Sequence, residues 1–551
     1  MLTYHGPSMK LRTPVGLALA ASIALAGCTS DGADDPPVDA GGTGPSGEPV
    51  LLEPASITLP AGPTAVLGGA TADALAIEAS QTFFGQSPVV VLVAGGDDPT
   101  GAAAIAVELG VPLLPTPSAA PASDGTASPS APTPPATGSP APSAPADDGS
   151  ATTDELTRLE ASVVVAVGAG ATTFAEALPD GITVVTAPDG AAAVGDLPAD
   201  ALPEITAAET PAPFAALTLT GTETAAASAT VQAAGGVVHE LAAPDPRTDS
   251  AVIAALAAEK PAFVAGLGAE FGTPEQLAYR VGVAQTGVEL PGGGQVLYPY
   301  HRHIALYGNP TTSALGSLGE QSLPEAITRA QDLAAEYQAL IEETAVPTFE
   351  LIASVASSVP SSGGDYSTEM TPEVIRPYVD AAREAGVYVV LDLQPGRLDF
   401  LTQAKVFEEF LREPHVGLAL DPEWRLRPGE VHLEQVGSVS AEEVNSVVTW
   451  LADLTRDNNL PQKVLVLHQF RTDMVSDRTQ VDTSRDELAV LVHVDGFGPP
   501  GSKLATWNAI RADPPPNVWW GWKNFIDEDS PTFTPDETMQ LEPVPHFVSY
   551  Q

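Results

Sequence analysis

Eight short runs of Val, Leu, Ile and aromatic residues recur through the C-terminal half of the chain, at 303–308, 347–356, 387–394, 416–421, 463–470, 488–496, 518–524 and 545–550. Helical patterns lie between most of them, such as 323–343, 371–386, 402–413 and 440–457. Apolar strands of this kind, separated by helices, imply a parallel sheet buried on both faces. Eight units in about 250 residues have the count and size of a (β/α)8 barrel. Residues 297–551 are predicted to form that barrel, with the eighth strand ending the chain, no final helix, and 549–551 inside the site.

The same alternation appears upstream with more Ala and Val. Residues 58–200 read as a doubly wound parallel-sheet domain, and 201–292 as a second, diverged copy of the same architecture. The fold class is therefore α/β, with N-terminal doubly wound domains followed by a (β/α)8 barrel. Within the first unit, 115–149 is almost all Pro, Ala, Ser, Thr and Asp and is expected to be an unstructured insertion. The Gly-rich PGGGQ at 291–295 marks the boundary before the barrel.

Charge limits the partners. Seventy acids against 23 Lys plus Arg give a formal net charge of -47. That sign opposes nucleic acid and anionic lipid surfaces, both of which need a positive field. The single cysteine excludes an intramolecular disulfide. All six Trp lie between Trp424 and Trp522, and seven of the nine His lie at or beyond His301. Stacking surface and proton-transfer groups are thus concentrated in the barrel.

At the N-terminus, Lys10 and Arg12 precede the apolar run VGLALAASIALAG and then Cys28. The run is too short to span a bilayer, which favours a cleaved signal over a permanent anchor. LAGC, Leu25 to Cys28, resembles the bacterial lipoprotein lipobox, and that resemblance implies lipidation of Cys28 and an extracytoplasmic, membrane-anchored protein. Residues 29–57, rich in Pro, Gly and Asp, are expected to be a disordered tether beyond the signal, 1–28.

VVVLVAGGDDPTGAAAIA, GVPLLPTP and VVVAVGAG, within 62–186, resemble the type 2 cell wall-binding repeat. The resemblance implies attachment to cell-wall polysaccharide or peptidoglycan. In 201–292 polar groups suited to chemistry are sparse, His239 and Glu240 standing alone, and a scaffold or binding role is expected.

The barrel strands end in acids, amides and imidazoles: Tyr307, Glu350, Asp392 with Gln394, Asp421 with Glu423, His468 with Gln469, His493 with Asp495, and Trp522 with Lys523. Residues two apart on a strand share a face, so Asp392/Gln394, Asp421/Glu423 and His493/Asp495 point together. Gly417 and Ala419 have the parity of Asp421, and small side chains there are expected to leave room for substrate or water. His415 and His432 read as ordinary core or surface groups. Paired carboxylates near aromatics suit glycoside cleavage, in which one acid protonates the leaving oxygen and another group stabilises the cation-like sugar.

VGLALDPEW also resembles the fourth-strand motif D-G-x-D-x-D-x-E of chitinase-like glycoside hydrolases, with Gly417, Asp421 and Glu423 at the matching positions and Val416 and Ala419 in place of the first two aspartates. The resemblance implies Glu423 as proton donor. The reading gives Asp421 and Asp392 charge-stabilising roles. Substrate binding falls to Tyr307, Glu350, Gln394, Trp424, His468, Gln469, Asp495, Trp522 and Lys523. No cofactor and no metal are assigned, and a monomer is expected.

Two alternatives stay open. One is a metal-dependent hydrolase using Asp392, Glu423, His468, His493 and Asp495, since mixed N and O donors suit Zn or Mn. The other is a non-catalytic glycan-binding lipoprotein. The lipobox makes its own prediction: the protein fractionates with membrane, and Cys28→Ala releases or mislocalises it. Unchanged fractionation of the variant would count against lipidation.

Overall fold

The structure is a computed structural model that describes residues 51–117, 149–198, 201–206, 208–209, 211–221, 223–361 and 363–551. The signal segment with Cys28, most of the tether and most of the 115–149 insertion lie outside the described residues. Where the described residues enter the tether they are folded. Leu51–Leu52 pairs in parallel with Glu204–Ile205, and Ser56–Ile57 pairs antiparallel with Phe84–Gln86. Ala55 is buried, and Leu52 and Ile57 pack on the module's core, which gives this end of the tether apolar surface to hold it in place. The insertion likewise starts later than expected, because Pro115 and Thr116 complete the buried strand Leu113–Thr116.

Residues up to about 290 form two four-stranded parallel sheets. The first has the order Leu113–Thr116, Val89–Ala94, Val163–Val167, Thr183–Thr186, and the second has Val237–Leu241, Phe214–Leu219, Phe263–Leu267, Thr64–Leu67. Thr64–Leu67 was expected in the first unit. It pairs instead along Phe263–Leu267, in register from Thr64 opposite Val264 to Leu67 opposite Leu267. The two sheets also share a core: Phe83 stacks on Phe214 at 5.2 Å and meets Phe263 edge-on at 6.1 Å. The 58–200 and 201–292 segments are therefore one interleaved module. Apolar runs such as VVVLVA are buried at every position, leaving no polar face to tell a sequence reader which sheet a strand joins.

The C-terminal region is a closed barrel of eight parallel strands, as predicted. We label them β1 (His301–Gly308), β2 (Thr344–Ala356), β3 (Tyr388–Leu393), β4 (Val416–Leu420), β5 (Lys463–Gln469), β6 (Leu488–Val494), β7 (Trp519–Asn524) and β8 (Phe547–Tyr550). Each pairs with its sequence neighbour, and β8 pairs with β1 to close the ring. Ser367–Glu369 adds a short antiparallel strand to the end of β2.

Alternation sorts the side chains. One parity, including Leu306, Phe349, Leu391, Leu418, Leu465 and Val490, packs outward against the helices. The other fills the interior with Ala305, Val390, Ala419, Val466, Leu491 and Phe547, and Leu297 and Tyr298 join this cluster. Towards the C-terminal ends that inward parity becomes polar, which creates the site.

The N-terminal module docks against the opposite, N-terminal end of the barrel. Arg247 is 1% exposed and donates to Asp245 and, at 2.9 Å, to Asp486 in the segment preceding β6. Arg280 donates to both Asp486 oxygens, at 2.8 and 3.1 Å, and the Tyr279 hydroxyl donates to the Leu460 carbonyl. Burial opposes the charge of Asp486, but the two guanidiniums outweigh it and hold its carboxyl below the usual range. A group depressed on folding contributes stability above its unfolded value, near pH 3.9, and loses that contribution as pH falls through the lower folded value. Removing one partner of a buried ion cluster strands the others. Asp486→Ala is expected to cost about 3 kcal/mol in denaturant unfolding of the full chain at neutral pH. A loss near zero would show that the module and barrel are not held by this cluster.

Candidate active site

The inward parity of all eight strands delivers its polar residues to one place. His468, on β5, lies at the centre. Its Nε2 is 2.9 Å from Glu350 Oε1 on β2 and 3.8 Å from Asp392 Oδ1 on β3, and its Nδ1 is 3.2 Å from Asp495 Oδ2 just past β6. Tyr307, on β1, donates its hydroxyl to Asp392 Oδ2 at 2.9 Å. The Lys523 ammonium, from β7, sits 3.4 Å above the Tyr307 ring centroid. His493 shares a 3.1 Å hydrogen bond with the Ser549 hydroxyl of β8.

Glu350, Asp392 and His468 are fully buried and form a layer beneath the cavity. Above them is a pocket of about 340 Å³, walled by Tyr307, Gln394, Asp421, Glu423, Trp424, Asp495, Lys523 and Gln551 and by the apolar residues Ile352, Val355, Phe470, Phe497 and Phe525. Asp421 has a second task. Its Oδ1 accepts from the Glu423 N–H at 3.1 Å and caps the turn Pro422–Trp424, which aims Glu423 at the cavity. Gln394 accepts from the Ala356 N–H at 2.9 Å, tying β3 to the end of β2.

The dry interior separates the charges of these groups. Burial would discharge His468, but Glu350, Asp495 and Asp392 outweigh it and raise the imidazole well above its ordinary value. Burial also works against Asp495, yet the His468 hydrogen bond and charge, with Lys523, hold that carboxyl below its usual range. The other acids move the opposite way. Burial pushes Glu423 up to about 7, with the charge of Asp495 adding to the effect. Burial raises Asp392 to about 6, and it drives Asp421 well above the carboxylate range with the help of Asp392. Burial and the charge on His468 keep His493 neutral. One ionised carboxylate, Asp495, and one proton-bearing carboxyl, Glu423, therefore face the same pocket.

Two residues assigned to substrate binding point elsewhere. Trp522 faces the helix layer, packed on Trp507 at 5.6 Å and Phe533 at 5.3 Å, with its indole N–H on Asn524. Gln469 is buried and does not line the pocket. Each is adjacent to an inward residue, Lys523 or His468, and neighbours on a strand point to opposite faces. Glu350 and His468 also leave the substrate-contacting set, because they lie under the pocket floor. His415 and His432 bind backbone carbonyls, of Val379 and Tyr366, as ordinary structural histidines.

The space above Gly417 is not open to substrate. A Cβ there would meet Val464 Cγ1 at 2.7 Å, the Val464 carbonyl oxygen at 2.8 Å and the Tyr388 hydroxyl at 3.0 Å, and Ala419 is packed in the interior cluster. The pocket walls Phe497 and Phe525 were missed from sequence, although the same two-residue step that carries His493 to Asp495, and Gly521 to Lys523, reaches them next.

Among the described residues, no group of three or more His, Cys, Asp or Glu side chains is arranged to hold a metal ion. Both ring nitrogens of His468 face carboxylates, those of Glu350 and Asp495.

The C-terminal region has the architecture of a (β/α)8 barrel, with its polar cluster at the strand C-termini where that fold places its sites. No protein-family model matches the chain, and no curated protein matches it. Among solved structures, it is similar to Burkholderia cenocepacia dihydropteroate synthase complexed with 7,8-dihydropteroate, at 12% identity over 46% of this chain and 86% of that one, with a TM-score of 0.21.

The filled space at Gly417 yields a test of interior packing. Gly417→Ala is expected to lower stability by about 1–3 kcal/mol through overpacking against Val464. Urea denaturation of the two forms measures it, and an unchanged midpoint would contradict the tight fit.

Proposed function

We propose that the barrel is an acid–base hydrolase of glycosidic bonds, acting on cell-wall or related polysaccharide. One observation carries the reading: Glu423 and Asp495 line a single pocket, and their surroundings drive their proton affinities apart. Glu423 protonates the leaving oxygen. Asp495, ionised and braced by His468, faces the positive charge that develops on the sugar or activates the attacking water.

This division revises the roles read from sequence. Asp421 and Asp392, expected to be the charge-stabilising pair, are driven by burial towards the protonated form. Asp421 acts by positioning Glu423, and Asp392 by receiving the Tyr307 hydrogen bond under the floor. Trp424, Phe470 and Phe497 offer ring faces and edges for sugars at the mouth. Upstream, the likeness of 62–186 to cell wall-binding repeats and the LAGC lipobox support an envelope-anchored protein in which the α/β module holds wall polymer and the barrel cleaves it. A barrel that only binds glycan would share this pocket but has no use for a carboxyl poised near neutrality.

Glu423→Gln is expected to lower kcat by roughly 10²–10⁴-fold on wall glycans or chitooligosaccharides while KM changes little. The competent form has Glu423 protonated and Asp495 ionised. The wild-type kcat/KM should therefore fall as pH rises through about 7 and hold on the acid side down to below the ordinary aspartate value of 3.8. A variant as fast as wild type, or activity that climbs above pH 7, would refute the assignment.

A further inference from the structure

Among the described residues, Lys523 is the single cationic side chain in the pocket wall, and it is 3% exposed. Its neighbour Lys503, equally buried, is fully engaged: that ammonium donates to Asp529 Oδ2 and to the Lys523 carbonyl, each at 2.6 Å. The Lys523 ammonium has no such acceptor. Among the described residues its near contacts are ring faces, Tyr307 at 3.4 Å and Phe525 at 5.3 Å, with no carboxylate or carbonyl oxygen in bonding reach. Its three N–H donors are left for whatever occupies the cavity that Lys523 lines.

Among the described residues, no acid around the cavity, Glu423 and Glu528 in its wall included, is paired with the Lys523 ammonium. Asp495 and Glu350 face the two nitrogens of His468, Asp392 accepts from Tyr307, and Asp421 accepts from the Glu423 N–H. The donors of Lys523 therefore open into the cavity, on the wall shared with Phe525 and Gln551. The acceptor that best meets an ammonium is an anionic oxygen.

We infer that Lys523 forms a carboxylate-binding subsite, so that the sugar seated in this pocket carries an acidic group. The inference rests on the glycan reading above and narrows it to acidic glycans, those containing uronic acids or sugars with carboxyl-bearing substituents. The cation fixes the ring by its acid group, while the Tyr307 and Phe525 faces that hold Lys523 restrict the ammonium to one position.

The test is binding by calorimetry to the full chain carrying Glu423→Gln, which removes turnover, using matched neutral and hexuronate-containing oligosaccharides. The acidic ligand is expected to bind roughly tenfold or more tightly than the neutral one. Adding Lys523→Met should erase that preference, and Lys523→Arg should retain part of it. Thermal melting of each variant verifies folding, and if Lys523→Met does not fold, Lys523→Arg and the ligand preference of the parent decide the matter. Equal binding of the two ligands overturns the subsite while leaving the glycan reading standing. Binding of neither sugar overturns both, and a preference that survives Lys523→Met assigns it to another group and overturns the inference.

Discussion

The buried contact of His468 with Glu350 and Asp495 is the constraint around which the barrel interior is arranged. Burial would discharge this imidazole, and the acids beside its two nitrogens are what hold the proton on it. Three strands, β2, β5 and β6, thereby become electrostatically interdependent at their C-terminal ends. The same contact keeps Asp495 ionised at the cavity wall, and the negative charge of Asp495 in turn helps Glu423 keep its proton. One ion cluster thus defines both the floor of the pocket and the division of labour above it.

The apolar packing below makes this electrostatic arrangement possible. Tyr388, Val464, Leu491 and Phe547 fill the barrel beneath the acids with closely packed apolar side chains. Low polarizability at that depth strengthens each hydrogen bond and penalises each uncompensated charge. The second ion cluster, Arg247 and Arg280 with Asp245 and Asp486, lies at the other end of the barrel and serves a different purpose. It holds the α/β module to the face opposite the site, leaving the pocket mouth clear of that module.

The architecture was legible to an unusual degree, because strand and helix periodicities in this chain are clean. All eight barrel strands fall where the apolar runs placed them, within a few residues. The sheets of the N-terminal module were less legible. Thr64–Leu67 could not be assigned to its sheet, since strands buried on both faces carry no pattern naming their neighbours. At the site, strand-end chemistry identified Asp392, Asp421, Glu423, His468, Asp495 and Lys523 as a group, and these side chains do converge. Trp522 and Gln469 were included against the strand period that their own neighbours obey.

Residue order alone determined the class of fold, the number of barrel strands and the end of the barrel at which polar side chains gather. These follow from local periodicity, which each segment carries within itself. Depth and partnership were decided only in three dimensions. A carboxyl on one strand becomes acid or base according to which charges the other strands bring beside it, and Glu423, Asp421 and Asp495 differ in environment far more than in chemistry. Desolvation and charge proximity are properties of the closed barrel, because they arise between residues that are distant along the chain.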